Sequence, residues 1–280
     1  MTRPLRRLAW AAALATYLLI VLGGIVRISG SGLGCGDEWP ACHGRLVPSF
    51  ADVATLIEWS HRLVAGIVSL LVAALAAGTW WQRQKGAGSG EWDPPSRVGY
   101  VALGLLIVQV LLGAVTVRLH LPPWTVVLHL GTAMALFAVL LYVALGEPPF
   151  RPTVPALAAA VLGFVAILLG AMTANLGAAT ACTGFPLCNG QVMPAAQSLA
   201  ALQWTHRLFA YGLFTYLLMW TAATRRREPA LALGMATLQI AVAAAMILLG
   251  LPRGLQATHV ALGALVWAVL VIVALRDRRH

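Results

Sequence analysis

The segment EWSHRL at Glu58–Leu63 returns as QWTHRL at Gln203–Leu208, and this repetition decides how the chain is organised. A second pair of similar segments precedes the two copies: CGDEWPACHGRLVP at Cys35–Pro48 and CTGFPLCNGQVMP at Cys182–Pro194. Glycine follows the second cysteine by two residues and proline follows it by six, in both segments. The matched order indicates an internal repeat.

A third landmark follows each copy. Pro122 precedes His129 by seven residues, and Pro252 precedes His259 by seven. Three matches in one order predict two halves, residues 1–150 and 151–280, each made of four helices. Because each half begins on the same side of the membrane, the repeat is parallel. Many transporters instead have inverted repeats.

The chain around these landmarks is strongly apolar. Of its 280 residues, 60% are hydrophobic and 10% charged, whereas soluble domains carry about 25% charged residues. Nearly charge-free runs of about twenty residues match the thickness of a bilayer, and spanning segments are expected to be helices. The predicted spans are 8–28, 54–81, 97–118, 125–145, 153–174, 198–223, 230–250 and 256–275. The sequence therefore predicts an all-α integral membrane protein with eight transmembrane helices in two pseudo-symmetric four-helix bundles.

The basic residues predict the orientation. The formal net charge is +10, and 13 of the 19 Lys and Arg residues lie at one set of helix ends. They are Arg3, Arg6, Arg7, Arg83, Lys85, Arg97, Arg151, Arg225, Arg226, Arg227, Arg276, Arg278 and Arg279. The positive-inside rule places these ends and both termini in the cytoplasm of a cell membrane. These basic residues are then expected to contact membrane lipid. Nucleic acid is not expected as a partner, because the sequence shows no face that combines aromatic and basic residues.

Two segments need separate interpretation. The basic N-terminus followed by an apolar run resembles a signal peptide, but no small-residue cleavage site follows Ile25. It is therefore expected to be a retained first helix. The stretch Gly86–Gly90 is rich in glycine and serine and predicts a flexible cytoplasmic connection.

Four of the seven histidines occupy equivalent positions in the repeat: His61, His129, His206 and His259. Each lies one to two turns from the start of an even-numbered predicted helix. Two imidazoles in each half should therefore reach the same depth. A planar iron porphyrin between them could take axial ligands from both sides. Polar groups at membrane depth are costly and tend to face a functional interior.

Zinc is a weaker alternative for these histidines. Two histidines in one site need further ligands, and the second half offers no carboxylate nearby. The remaining histidines, His43, His120 and His280, lack partners in the repeat and are expected in loops or the tail.

Glu58 is the one acidic residue inside a predicted span, three positions before His61 and on the same helix face. Gln203 takes its place in the second half. This asymmetry suggests that one half performs chemistry, with Glu58 transferring protons, while the other carries electrons. The alternative is an ion pair of Glu58 with Arg62 or Arg27.

Arg62 and Arg207 each follow a candidate ligand histidine. They could bind haem propionates near the outer surface or extend to lipid headgroups.

All four cysteines lie in two loops expected on the oxidising side of the membrane. Cys35 with Cys42 and Cys182 with Cys188 predict two local disulfides. Zinc binding by the first pair with His43 lacks a fourth ligand. No C-x-x-C-H motif occurs, so covalent attachment of haem is not expected. Whether each pair is structural or redox-active stays open.

These motifs together resemble the haem A synthase family, and the match extends in order over nearly the whole chain. The resemblance implies oxidation of the C8 methyl of haem O to the formyl of haem A, by two hydroxylations and loss of water. It implies that His61 and His129 hold the substrate haem O, and that His206 and His259 hold a haem b cofactor. Glu58 would be catalytic, and the Cys35–Cys42 disulfide would be linked to activity.

The resemblance leaves the electron donor unknown and makes the prenyltransferase that produces haem O a plausible partner. Two other functions compete. A di-haem b-type electron-transfer cytochrome would hold two haems and tolerate Glu58→Gln. A repeat-based transporter would have broken helices near the midplane, whereas the polar residues here cluster at the outer end.

Overall fold

A computed structural model describes residues 2–49, 52–85, 94–146 and 152–277, and the regular secondary-structure elements in these ranges are all helices. Eight α-helices follow one another: α1 Arg3–Ile28, α2 Val53–Lys85, α3 Pro94–Arg118, α4 Pro123–Leu145, α5 Val154–Asn175, α6 Leu199–Thr224, α7 Arg227–Leu248 and α8 Arg253–Arg276. A short 3-10 turn at Ala178–Thr180 follows α5. The predicted all-α fold with eight helices is confirmed, and each helix end lies within five residues of its predicted position. The predicted connection Gly86–Gly90 and His280 lie outside the described residues.

Seven of the eight helices in the described ranges are long and apolar enough to cross a membrane. Their most apolar windows have mean hydropathies of 2.1 to 2.4. The remaining helix, α6, carries Gln203, His206 and Arg207 in its first half, and these polar residues lower its mean hydropathy. The chain is therefore a multi-pass membrane protein, and its least apolar helix is one that bears candidate site residues.

The chain divides into two compact units, Met1–Phe150 (unit 1) and Arg151–His280 (unit 2). In unit 1, α1 and α3 each pack against both α2 and α4, while α2 and α4 do not pack on each other within the described residues. Unit 2 repeats this arrangement, with α5 and α7 each packing against α6 and α8. The helices that carry the repeated histidines are thus diagonal to each other across the bundle.

The helix starts set the depth of these histidines. Asp52 caps α2, because its Oδ1 accepts from the backbone N–H of Thr55 at 2.7 Å and its Oδ2 accepts from the Thr55 hydroxyl at 2.7 Å. These bonds stabilise the carboxylate and hold the pKa of Asp52 below its ordinary value. Ser198 caps α6 in the same way, accepting from Ala201 N–H at 3.0 Å. Each repeated histidine therefore lies about two turns into its helix, as predicted.

Candidate functional site

Each unit has a disulfide loop between its first two helices. Cys35 bonds Cys42 in unit 1 and Cys182 bonds Cys188 in unit 2, as predicted from the sequence. The side chains of all four cysteines are buried. Because cysteines in disulfides offer no thiolate, the first pair cannot provide the ligands of the zinc alternative. No group of three or more His, Cys, Asp or Glu suited to a metal ion occurs in the part of the chain that the structure describes.

Glu58 and Gln203 perform the same structural task in their units. The Glu58 carboxylate accepts from the backbone N–H of Cys35 at 2.8 Å, and the Gln203 side-chain oxygen accepts from that of Cys182 at 2.7 Å. Both side chains are only 3% exposed. Each therefore ties the first cysteine of a disulfide loop to the helix that bears a candidate ligand histidine. The two units differ in the chemistry of this side chain, which is a carboxylate in unit 1 and an uncharged amide in unit 2.

The arginine after each histidine holds the same loop by its carbonyls. Arg62 Nη1 donates to the carbonyls of Glu38 at 2.8 Å and Ala41 at 2.7 Å. Arg207 donates to the carbonyls of Gly184 at 2.7 Å, Leu187 at 3.0 Å and Cys182 at 3.1 Å. The structure thus gives both guanidinium groups a loop-anchoring contact that the sequence did not suggest. Their binding of haem propionates stays a prediction.

Arg62 also forms the ion pair considered from the sequence. Its Nη2 lies 2.6 Å from Glu58 Oε1, and its Nε lies 3.1 Å from the same oxygen. The carboxylate therefore has one oxygen on Arg62 and the other on Cys35 N–H. These contacts fix the position of the Glu58 carboxylate.

The two histidines of unit 1 are half-buried and approach from diagonal helices. His61 lies against Gly23 of α1, where an added Cβ would come within 3.2 Å of ring atom Cε1. His129 lies against Gly113 of α3 at the same distance, and its Nε2 is 3.0 Å from the side-chain nitrogen of Gln109. The Nδ1 atoms of both rings are buried without a hydrogen-bond partner among the described residues.

The two histidines of unit 2 are held more firmly. His206 Nδ1 is 2.9 Å from the carbonyl oxygen of Ala166 on α5, so this nitrogen carries the proton and donates. Gly170 of α5 also lies against the ring, at 2.8 Å from Cε1 for an added Cβ. Gln239 of α7 places its side-chain nitrogen 3.1 Å from His259 Nδ1, 3.4 Å from Nε2 and 3.0 Å from the His259 carbonyl.

Sequence reasoning missed these glycines and glutamines, although the repeat contains a signal for them. Gln109 and Gln239 each precede their histidine by 20 residues. Gly23 and Gly170 each precede the first cysteine of their loop by twelve. His43, by contrast, lies in the loop as expected, with Nε2 2.9 Å from the Gly34 carbonyl. His120 lies in the turn after α3.

Comparison with known proteins gives one family for the whole arrangement. The COX15-CtaA family, described as cytochrome oxidase assembly protein, matches residues 6–271. The chain belongs to this family. It is also similar to proteins named haem A synthase. That of Shouchella clausii (strain KSM-K16) is 34% identical over 81% of this chain and 79% of its own length.

Two further relatives agree with this assignment. The haem A synthase of Symbiobacterium thermophilum (strain DSM 24528 / JCM 14929 / IAM 14863 / T) is 31% identical over 96% of this chain and 94% of its own length. That of Alkalihalophilus pseudofirmus (strain ATCC BAA-2126 / JCM 17055 / OF4) is 31% identical over 76% of this chain and 75% of its own length. The likeness therefore includes both units and both disulfide loops.

The residues of this COX15-CtaA member fit the haem that the resemblance implies. In each unit, two half-buried imidazoles belong to diagonal helices, so a haem placed between those helices could be held by both histidines. His206 is the best-defined candidate: the Ala166 carbonyl takes its Nδ1–H, so Nε2 presents a lone pair. His61 and His129, the pair of unit 1, each have a buried Nδ1 without a hydrogen-bond partner among the described residues.

Gly170→Ala is expected to displace the His206 ring. A methyl group there would lie 2.8 Å from Cε1, closer than carbon atoms pack, and the ring contacts the Ala166 backbone on the same helix. Overpacking of this kind costs about 1–3 kcal/mol. We expect a lower thermal midpoint in detergent and a lower haem content after purification. Gly212→Ala on α6 is the matched control, because nothing lies within 4 Å of its added Cβ. Equal haem content in the two variants would contradict the predicted contact.

Proposed function

We propose that this chain is a haem A synthase that oxidises the C8 methyl of haem O to a formyl group by two successive hydroxylations and loss of water. The observation that carries the proposal is a repeated pair of imidazoles on diagonal helices, with a buried carboxylate one turn before the first histidine in unit 1 and an amide at that position in unit 2. Haem O is the substrate, and unit 1 binds it through His61 and His129. Unit 2 binds haem b through His206 and His259, and haem b supplies an iron that accepts and passes on single electrons.

The difference between the two pairs of histidines supports this assignment of substrate and cofactor. A retained cofactor requires fixed ligands, and in unit 2 His206 is bonded to a backbone carbonyl while Gln239 contacts both the ring and the carbonyl of His259. A substrate has to enter and leave, and in unit 1 His61 Nδ1 has no partner in the described residues. The less firmly held ligands are therefore assigned to haem O.

Glu58 is the group proposed to hold and move a proton during the oxidation. It lies one helical turn before His61, and its oxygens are fixed by Cys35 N–H and Arg62. A fixed carboxylate beside the ligand histidine can accept a proton from a reacting group without reorganising. Gln203 cannot do so, which fits a unit that only carries electrons.

The basic residues support an orientation in the cell membrane with both termini in the cytoplasm. The disulfide loops and the starts of α2, α4, α6 and α8 would then lie on the opposite side. Haem O synthase is a plausible partner, since it makes the substrate. Each hydroxylation is a two-electron oxidation and requires an oxidant. Where molecular oxygen is that oxidant, an electron donor of unknown identity is also required to reduce its second oxygen atom.

Extraction and chromatography of the haems from purified protein test this function. The full chain would be expressed together with a source of haem O. We expect haem b together with haem A or a hydroxylated intermediate. Haem b alone, even with haem O supplied, would favour a di-haem electron-transfer cytochrome. Absence of haem would contradict the role of the histidines.

A further inference from the structure

Two glutamines inside the helices have their side chains on candidate ligand histidines. The side-chain nitrogen of Gln109 on α3 is 3.0 Å from His129 Nε2 on α4. That of Gln239 on α7 is 3.1 Å from His259 Nδ1 on α8. Both contacts join the third and fourth helices of a unit, and both span 20 residues of sequence. A glutamine–histidine contact therefore occurs at the same place in both units, at Nε2 of His129 and closest to Nδ1 of His259.

Burial makes these contacts energetically significant. The side-chain oxygens of Gln109 and Gln239 are buried without a partner among the described residues. A buried acceptor that is left without a hydrogen bond costs about 1–3 kcal/mol. Leucine or methionine would avoid this cost in an apolar helix, so the amide at this position is explained by what it does to the imidazole.

Packing holds the Gln239 amide at the ring. An added Cβ at Gly263, one turn after His259 on α8, would lie 3.2 Å from its side-chain nitrogen. The same nitrogen also contacts the His259 carbonyl at 3.0 Å. The amide thus bridges the backbone and the ring of one residue, which restricts rotation of that ring.

We propose that Gln109 and Gln239 are positioning residues that orient His129 and His259 for axial coordination of haem, one glutamine in each unit. This inference rests on the proposed function, because it assumes that these histidines bind iron. An amide suits the task because it has both donors and an acceptor without charge. With its oxygen turned toward the ring, the amide accepts the N–H of the imidazole nitrogen that is not on the iron, which leaves the lone pair of the other nitrogen for the metal. The two orientations of a glutamine amide occupy the same space.

The two remaining histidines are oriented by other means. His206 donates to the Ala166 carbonyl, and His61 packs against Gly23. Each unit consequently has one histidine on its second helix that contacts the preceding helix at a glycine, and one on its fourth helix that contacts a glutamine. Disturbing one glutamine should therefore alter one axial ligand of one haem.

The test compares the full chain, loaded with haem, in wild-type form and with Gln239→Met or Gln109→Met. Methionine keeps the length and volume of the side chain but removes the amide. We expect Gln239→Met to shift the low-spin ferric electron paramagnetic resonance signal of the unit 2 haem, and to speed haem transfer to excess apomyoglobin about 10-fold or more. Gln109→Met should shift the signal of the unit 1 haem and leave that of unit 2 unchanged.

Gln256→Met is the matched control, because Gln256 is a half-buried glutamine of α8 that bonds the Leu251 carbonyl at 2.7 Å and no imidazole. It should behave as wild type. Gln239→Glu keeps an acceptor at the ring and should retain haem far longer than Gln239→Met. Equal haem loss from these two variants, or wild-type signals in both methionine variants, would overturn the inference. A wild-type protein without haem would instead overturn the proposed function.

Discussion

Glu58→Gln is expected to reduce formation of haem A by at least about 100-fold, the usual contribution of a positioned acid or base, while the protein still folds and binds both haems. Glutamine keeps the oxygen that accepts from Cys35 N–H but cannot take up or release a proton. Unit 2 already contains this arrangement, since Gln203 accepts from Cys182 N–H at 2.7 Å. The substitution therefore removes the chemistry of Glu58 and keeps its anchoring contact.

Unit 2 also indicates that Arg62 can remain in place without its counter-charge. Its counterpart Arg207 is 7% exposed and donates to loop carbonyls of Gly184, Leu187 and Cys182. Arg62 has equivalent carbonyl partners at Glu38 and Ala41. We therefore expect Glu58→Gln to lower the thermal midpoint only slightly, whereas Glu58→Ala would also leave Cys35 N–H unbonded.

Chromatography of the extracted haems measures the effect of Glu58→Gln. We expect haem b and unreacted haem O in place of haem A. Gln203→Glu is the matched control: it puts a carboxylate at the equivalent position of unit 2 and should leave product formation close to wild type. If Glu58→Gln made haem A at the wild-type rate, the carboxylate would serve only to anchor the disulfide loop.

Much of the fold could be predicted because it depends on local signals. Apolar runs determine which segments become helices, and the repeat at His61 and His206 determines that the two units are alike. The diagonal placement of α2 and α4 follows once four consecutive helices close into a bundle in which each helix packs on its neighbours in sequence. The disulfides follow from cysteines that are seven and six residues apart.

The rest depends on contacts between helices, which composition and spacing do not encode. Glu58 was interpreted through its charge, while its bond to Cys35 N–H required the loop to fold back over α2. Arg62 was interpreted as a partner of propionates, of lipid headgroups or of Glu58. The structure shows the ion pair with Glu58 and, in addition, bonds to loop carbonyls that the sequence did not suggest. Gln109 belongs to no local motif. Its match with Gln239, each 20 residues before a repeated histidine, is a weak signal, and the contact with His129 gives it a role.

Removal of single axial histidines is expected to separate the two haem sites. His206→Ala should lose the haem b of unit 2, which lowers the haem content by about one haem per chain. The reason is that a histidine ligand provides a principal bond between the protein and the iron. Haem O should still bind to unit 1 but not be converted. His61→Ala should show the opposite pattern, with haem b retained and haem O absent. Haem content per chain and chromatography of the extracted haems distinguish the two results.

The expected difference between these variants follows from how each unit holds its ligands. His206 has a firm contact with the Ala166 carbonyl, so its loss also removes the best-oriented ligand of the chain. His43→Ala is the control, because His43 lies in the disulfide loop and contacts the Gly34 carbonyl; it should retain both haems. If His206→Ala and His61→Ala each lost both haems, binding in the two units would be coupled. If His61→Ala lost haem b and kept haem O, the substrate site would belong to unit 2, and the catalytic role proposed for Glu58 would have to be abandoned.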